Sequence, residues 1–288
     1  MALVQQVLTA GARPDGSDRE ELSLLTGDGV RLAARRRRQP GVPRATVVVV
    51  HGFAANQDHP DVLSIAADLH AEGFGVVTYD SRGHGRSEGQ CTVGDTERLD
   101  VQAAQTWADA QGAPVVLLGI SMGAIAVLRH MAGSEPAAAG IVVVSSPARW
   151  RMKLSPVALG ALLLTRTRAG RKFAARSLGV HVMPGWSIGD PPLSLIDQVH
   201  VPVAVVHGSR DRIIRASQAR LLYARALEPR RLDLVADMGH GIDSAGGRRA
   251  ACDAVAWVAT VGHQGSSGPL SSGPLSPGPL SPTTTPTR

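Results

Sequence analysis

Three side chains in this sequence have the types needed to attack a carbonyl carbon together. Ser121 lies in Gly119-Ile120-Ser121-Met122-Gly123, Asp211 in His207-Gly208-Ser209-Arg210-Asp211-Arg212-Ile213, and His240 in Met238-Gly239-His240-Gly241. A serine hydroxyl is a weak nucleophile until a base takes its proton, and a histidine base needs a carboxylate to hold its tautomer. Ser121 falls between the apolar run PVVLLG and the helical pattern MGAIAVLRH. That is the setting of a sharp strand-to-helix turn that lifts a nucleophile into the open, with glycines where side chains would collide. Two backbone groups complete the reading. The helix that follows Ser121 presents the Met122 N–H, and the turn His51-Gly52-Phe53 after TVVVV can aim the Phe53 N–H at the same point. Together they would form an oxyanion hole for a tetrahedral intermediate.

Ten histidines compete for the role of base. His51 and His207 sit in H-G pairs at strand ends, where structural hydrogen bonding is expected, and His84 in RGHGRS is expected to brace its loop. His59, His70 and His130 fall in or beside helical patterns. Among carboxylates, Asp237 and Asp243 lie three residues on either side of His240 and rival Asp211 as its partner. Asp80 is read as a loop organiser pairing with Arg82 or nearby backbone.

These residues need elements to carry them. ELSLLT, VRLAARRRR, ATVVVV, GVVTYD, PVVLLGIS, GIVVVSS, VPVAVVHG and RLDLVAD read as strands. From Thr46 onward they alternate with helical patterns such as DVLSIAADLHAEG and SQARLLYARALEP, which predicts a parallel sheet covered on both faces. Ser121, Asp211 and His240 then all fall just beyond strand carboxyl ends, where open α/β sheets place their sites. Residues 1–19 read as an N-terminal extension, 20–146 and 200–262 as the core, and 147–199 as a cap inserted over the sheet's carboxyl edge. The last helix, RRAACDAVAWVATV, is expected to close near Gly262. The five-residue repeat in 263–288 has little to bury and predicts a disordered tail.

Composition narrows the classes. The 288 residues are 43% hydrophobic and carry two cysteines, so the chain suits a filled core with no disulfide framework. The short apolar start has no preceding basic residue, and no apolar run reaches the roughly 18 residues of a membrane span, so a cytoplasmic protein is expected. The formal charge of +6 comes almost entirely from arginine, but 3% aromatic content argues against nucleic acid. Arg35 to Arg38 lie in a strand pattern near a sheet edge, where alternate side chains stay solvated. No histidine, cysteine or aspartate cluster has metal-ligand spacing, and DSRGHGRSEG lacks the order of a dinucleotide loop, so no metal or cofactor is expected. Within the cap, eight basic residues and no acidic one lie between Arg149 and Arg176, interleaved with SPVALGALLLTRT. An amphipathic lid helix packing its leucines over the sheet is expected, with admission of acyl chains or transient contact with an anionic interface as the functional alternative.

HGFAAN (51–56), DSRGHGRSEG (80–89), GISMG (119–123), HGSRDRI (207–213) and MGHG (238–241) together resemble the α/β-hydrolase superfamily over about residues 20 to 262. Small bacterial, feruloyl-esterase-like and monoacylglycerol-lipase-like enzymes are the branches most resembled. The resemblance implies an α/β fold with a mostly parallel eight-stranded sheet, helices on both faces, a small helical cap and no cofactor. It also implies the chain order Ser, Asp, His seen here. The expected activity is hydrolysis of a small-molecule ester, one bearing an acyl chain included, through an acyl-enzyme. Thioesters, peptides with a particular end group and carbon–carbon bonds are rival substrates, and a non-catalytic ligand receptor is the rival of another class. Haloalkane dehalogenases and epoxide hydrolases carry aspartate where Ser121 stands.

Overall fold

A computed structural model describes residues 19–133, 138–150 and 156–266. Its centre is one eight-stranded sheet: β1 Arg19–Leu25, β2 Arg31–Arg37, β3 Thr46–Val50, β4 Gly75–Tyr79, β5 Val115–Ile120, β6 Gly140–Val144, β7 Val203–Gly208 and β8 Arg230–Val235. The order across the sheet is β1-β2-β4-β3-β5-β6-β7-β8. β2 runs antiparallel to both β1 and β4, and every other neighbouring pair is parallel.

Every residue of β3, β4, β5, β6 and β7 is buried, as continuous apolar runs require when helices cover both faces. Alternation sorts the side chains. Val47, Val49, Val116, Leu118, Val142 and Val144 face α1 (Pro60–Ala71) and α7 (Ala245–Ser266). Val48, Val50, Leu117, Ile141 and Val143 face α2 (Arg98–Asp109), α3 (Met122–Ala132) and α6 (Ala216–Arg225). The arginine run on β2 is answered across the strand pair: Glu21 and Glu20 lie opposite Arg35 and Arg36, with ion pairs of 2.8 and 2.7 Å.

Helix α7 runs through Ser266, past the expected end at Gly262 and into the segment read as tail. The glycine is there for packing: a Cβ at Gly262 would overlap the carbonyl of Ala139. Residues 1–18 and 267–288, the bulk of the expected extension and tail, lie outside the described residues.

The connection between β6 and β7 holds α4 (Pro156–Arg166), α5 (Arg168–Phe173), a π-helical turn Ala174–Leu178 and two short 3₁₀ turns. It meets the core through isolated bridges from Val180 to His84 and from Val182 to Cys91. The leucines of α4 depart from the expected packing. Leu164 lies against the buried cluster, but Leu162 and Leu163 are exposed by 52% and 51%. Arg171 turns back to cap the α4 carbonyls of Thr165 and Arg166, and Gly170 lets α5 pack on the backbone of Leu163 and Leu164.

Candidate active site

Ser121, the N-cap before α3, has φ 53° and ψ −110°, a strained conformation that points its side chain out of the strand-to-helix turn. Its neighbours must be small. A Cβ on Gly119 would come within 2.6 Å of Ala124 Cα, and one on Gly123 would overlap the carbonyl of Val50. The Ser121 N–H donates to the Val144 carbonyl at 2.8 Å, which ties the turn to the end of β6.

His240 and Asp211 reach this point from the loops after β8 and β7. His240 Nε2 lies 2.9 Å from Ser121 Oγ, and His240 Nδ1 lies 2.8 Å from Asp211 Oδ2. A carboxylate only accepts, so the Nδ1 proton donates to Asp211 and Nε2 remains free to accept from the serine hydroxyl. Asp211 is fixed on its other oxygen, where Oδ1 accepts the N–H groups of Ile213 and Ile214, each at 2.8 Å. Burial alone would raise the Asp211 pKa. The hydrogen bonds from His240 and from the Ile214 and Ile213 amides outweigh it and hold the carboxyl below its ordinary range. The rival carboxylates are engaged elsewhere: Asp243 accepts the Gly239 N–H at 2.8 Å, and Asp237 lies against Gly246.

The two expected oxyanion donors flank the turn. Met122 opens α3, where no preceding turn supplies an acceptor for its N–H. Gly52 packs on Ser121, so that a Cβ there would sit 3.4 Å from Ser121 Cβ, and Phe53 follows it, ahead of Ala54 at φ 61°. Neither the Phe53 nor the Met122 N–H is taken by a protein acceptor among the described residues.

His51 and His84, two of the rival histidines, have structural partners. His51 Nε2 accepts the Ser81 N–H at 2.9 Å, and burial pushes its pKa down to about 3. His84 Nδ1 contacts the Arg82 carbonyl at 3.1 Å, and its ring meets Phe53 edge-on. Asp80 organises its loop as expected, through the Gln57 and Arg86 N–H groups. It does not pair with Arg82, whose guanidinium turns away to Asp100 and Asp28, each at 2.8 Å.

Two further residues support the site: Ser145, which was not among the candidates, and His207, for which structural hydrogen bonding was expected. Ser145, at the end of β6 with φ 49°, accepts the Gly241 N–H on Oγ at 3.0 Å and so steadies the loop carrying His240. His207 donates from Nε2 to the Ile214 carbonyl at 2.8 Å, with Asp211 Oδ2 3.4 Å away. It thereby braces the same loop that holds the carboxylate. The one signal for Ser145 was its place just after an apolar strand; nothing local marks His207 beyond its H-G.

Met122, Cys91, Val180, Val182, Ala174 and Trp186 form an apolar cluster, with Phe53, Val93 and Leu164 against it. This joins the β6–β7 connection to the site. A separate groove of about 390 Å³, lined by Arg36, Gln39, Trp107 and Gln111, opens at the amino ends of β3 and β4, the opposite end of the sheet from Ser121.

Sheet order, elbow and strand-end loops define an α/β hydrolase. A model of the serine aminopeptidase S33 family matches residues 41–192, about half of the chain, and the protein belongs to that family. The match includes Phe53 and Ser121 but stops before Asp211 and His240. An uncharacterized protein of Mycobacterium tuberculosis is 29% identical over 232 residues, covering 79% of this chain and 73% of its own length. Human monoglyceride lipase is 34% identical over 129 residues, 42% of this chain and 41% of the lipase. Among solved structures, a Pyrococcus furiosus esterase superposes with a TM-score of 0.60 at 19% identity, over 90% of this chain and 96% of its own. No helix among the described residues is long and apolar enough to cross a membrane.

Proposed function

We propose that this hydrolase cleaves carboxylic esters through an acyl-enzyme on Ser121. The observation that carries the reading is the unbroken line from Ser121 Oγ through His240 to Asp211, with separations of 2.9 and 2.8 Å. His240 takes the serine proton as Oγ attacks the ester carbonyl, and Asp211 stabilises the imidazolium that forms. The Phe53 and Met122 N–H groups hold the oxyanion, and the alcohol leaves with the proton from His240. Water then attacks the acyl-enzyme by the same steps, freeing the acid and Ser121.

The apolar residues around Met122 support an acyl substrate. Phe53, Val93, Leu164, Val182 and Trp186 suit an acyl chain better than the charged terminus of a peptide, which favours the esterase reading over an aminopeptidase one. The likeness to a lipase and an esterase agrees with this. In this reading the β6–β7 connection is a cap that shapes the acyl pocket.

A fluorophosphonate probe should label the wild-type chain and fail to label Ser121→Ala. A series of p-nitrophenyl esters of increasing chain length should give turnover with a preferred acyl length. Labelling that persists in Ser121→Ala removes Ser121 as nucleophile. Labelling without turnover of any ester in the series would point instead to another hydrolysable bond.

A further inference from the structure

The segment from α4 through the π-helical turn sorts its apolar side chains in two directions. Leu164 and Ala174 pack inward on the cluster around Met122 and Trp186. Leu162, Leu163, Phe173 and Leu178 stay in water, exposed by 52, 51, 57 and 40%. Because α5 packs on the backbone of Leu163 and Leu164 through Gly170, the residues of α5 lie beside the exposed leucine pair.

Charge in this segment is one-sided. No aspartate or glutamate occurs from Pro156 to Gly189. Two of the cations are committed to the fold: Arg166 stacks over Trp186 at 4.2 Å and donates to its carbonyl, and Arg171 caps α4. Arg168, Lys172 and Arg176 are exposed and make no ion pair or hydrogen bond among the described residues. They stand beside the exposed leucines and phenylalanine with no carboxylate paired to them among the described residues.

We infer that this outer face docks on an anionic lipid surface, with Leu162, Leu163 and Phe173 entering the headgroup boundary and Arg168, Lys172 and Arg176 meeting the headgroup phosphates. Apolar side chains flanked by unpaired cations match such an interface in both terms: burial of apolar area and attraction to anionic lipid. Exposed apolar residues gathered in one segment mark an interaction surface more than a stable solvated one. The docking deepens the ester-hydrolase reading by giving acyl-bearing substrates a source next to the site, but it does not depend on catalysis.

The test is sedimentation of the full-length Ser121→Ala chain with extruded vesicles, so that binding is read without turnover. Vesicles of phosphatidylcholine with phosphatidylglycerol should bind the chain, and phosphatidylcholine alone should bind it far more weakly. Raising salt from about 0.1 M to about 1 M shortens the screening length from about 10 to about 3 Å and should release it, a readout that needs no further variant. Replacing Arg168, Lys172 and Arg176 together by Gln should weaken binding roughly 100-fold, taking about 1 kcal/mol for each cation at the surface. Leu162→Ser with Leu163→Ser and Phe173→Ser should also weaken it, with an unchanged melting temperature because these side chains already face water. Equal binding to neutral vesicles, insensitivity to salt, or an unaffected Gln triple variant each overturns the inference. So does a dimer in solution that the serine triple variant abolishes while vesicles bind nothing, since the occupant is then a second copy. Loss of vesicle binding with intact ester turnover in the Ser121 chain leaves the hydrolase reading standing.

Discussion

Asp211→Asn separates orientation of the base from everything else the loop does. The carboxylate has its two oxygens assigned to different tasks: Oδ1 accepts the Ile213 and Ile214 amides, and Oδ2 accepts His240 Nδ1–H. An asparagine in the same place must keep its carbonyl oxygen on the two backbone amides, because its NH₂ group cannot accept from them. The NH₂ is thereby turned toward His240, where it donates to Nδ1 and drives the ring proton to Nε2. In that tautomer Nε2 cannot take the Ser121 proton. Loss of the correct tautomer in an otherwise intact triad lowers kcat about 10⁴-fold, or about 5 kcal/mol in the barrier. KM should move little, since the apolar lining is untouched. The loop hydrogen bonds survive, so the melting temperature should fall only slightly. Asp211→Ala, by contrast, leaves two backbone donors without their acceptor and should lose about 1–3 kcal/mol of stability as well as activity. Steady-state hydrolysis of p-nitrophenyl butyrate, with thermal melts of both variants, checks the pair. Asparagine activity within tenfold of wild type would refute the assignment of Asp211 as the orienting group.

Gly123→Ala places a methyl in the carbonyl of Val50 and should shift the β3 end that carries Phe53; a loss of about 10²-fold in kcat is expected from displacement of one oxyanion donor, read on the same ester. Gly262→Ala should destabilise by about 1–3 kcal/mol in urea melts and leave kcat unchanged, because the overlap is with Ala139 at the far end of α7. Stability should also fall as pH drops below about 6.5. The buried His51 takes its proton only near pH 3, whereas the unfolded chain takes it near 6.5, so the unfolded state binds more protons between those values. That difference contributes about 2 kcal/mol of destabilisation at pH 5, and a urea midpoint that stays flat from pH 8 to 5 would contradict it.

What could be read from the chain alone divides along a physical line. The eight strands and the position of Ser121 were legible because they are written locally: unbroken β-branched runs, an elbow pentapeptide, glycines where backbone passes close. Contacts between distant segments were not. Arg82 prefers Asp100 and Asp28 to its near neighbour Asp80, a choice made by where α2 and the β1–β2 turn come to rest. Gly262 looks like a helix terminator and is instead a point of close helix–sheet approach. Leu162 and Leu163 face outward, and an apolar pattern alone cannot say which way such a patch faces.

The separation of 119 positions between Ser121 and His240 has a consequence during synthesis. The elbow is translated with β5 and α3, but His240, its base in the proposed mechanism, arrives only after β8. At about 5–20 residues per second the ribosome needs roughly 6–24 s to add that stretch. Throughout that interval the nascent chain holds a serine with no proton acceptor, chemically as inert as any other. On the proposed mechanism, acquisition of reactivity is therefore a timestamp for completion of the sheet, and a chain truncated before His240 would carry Ser121 unactivated.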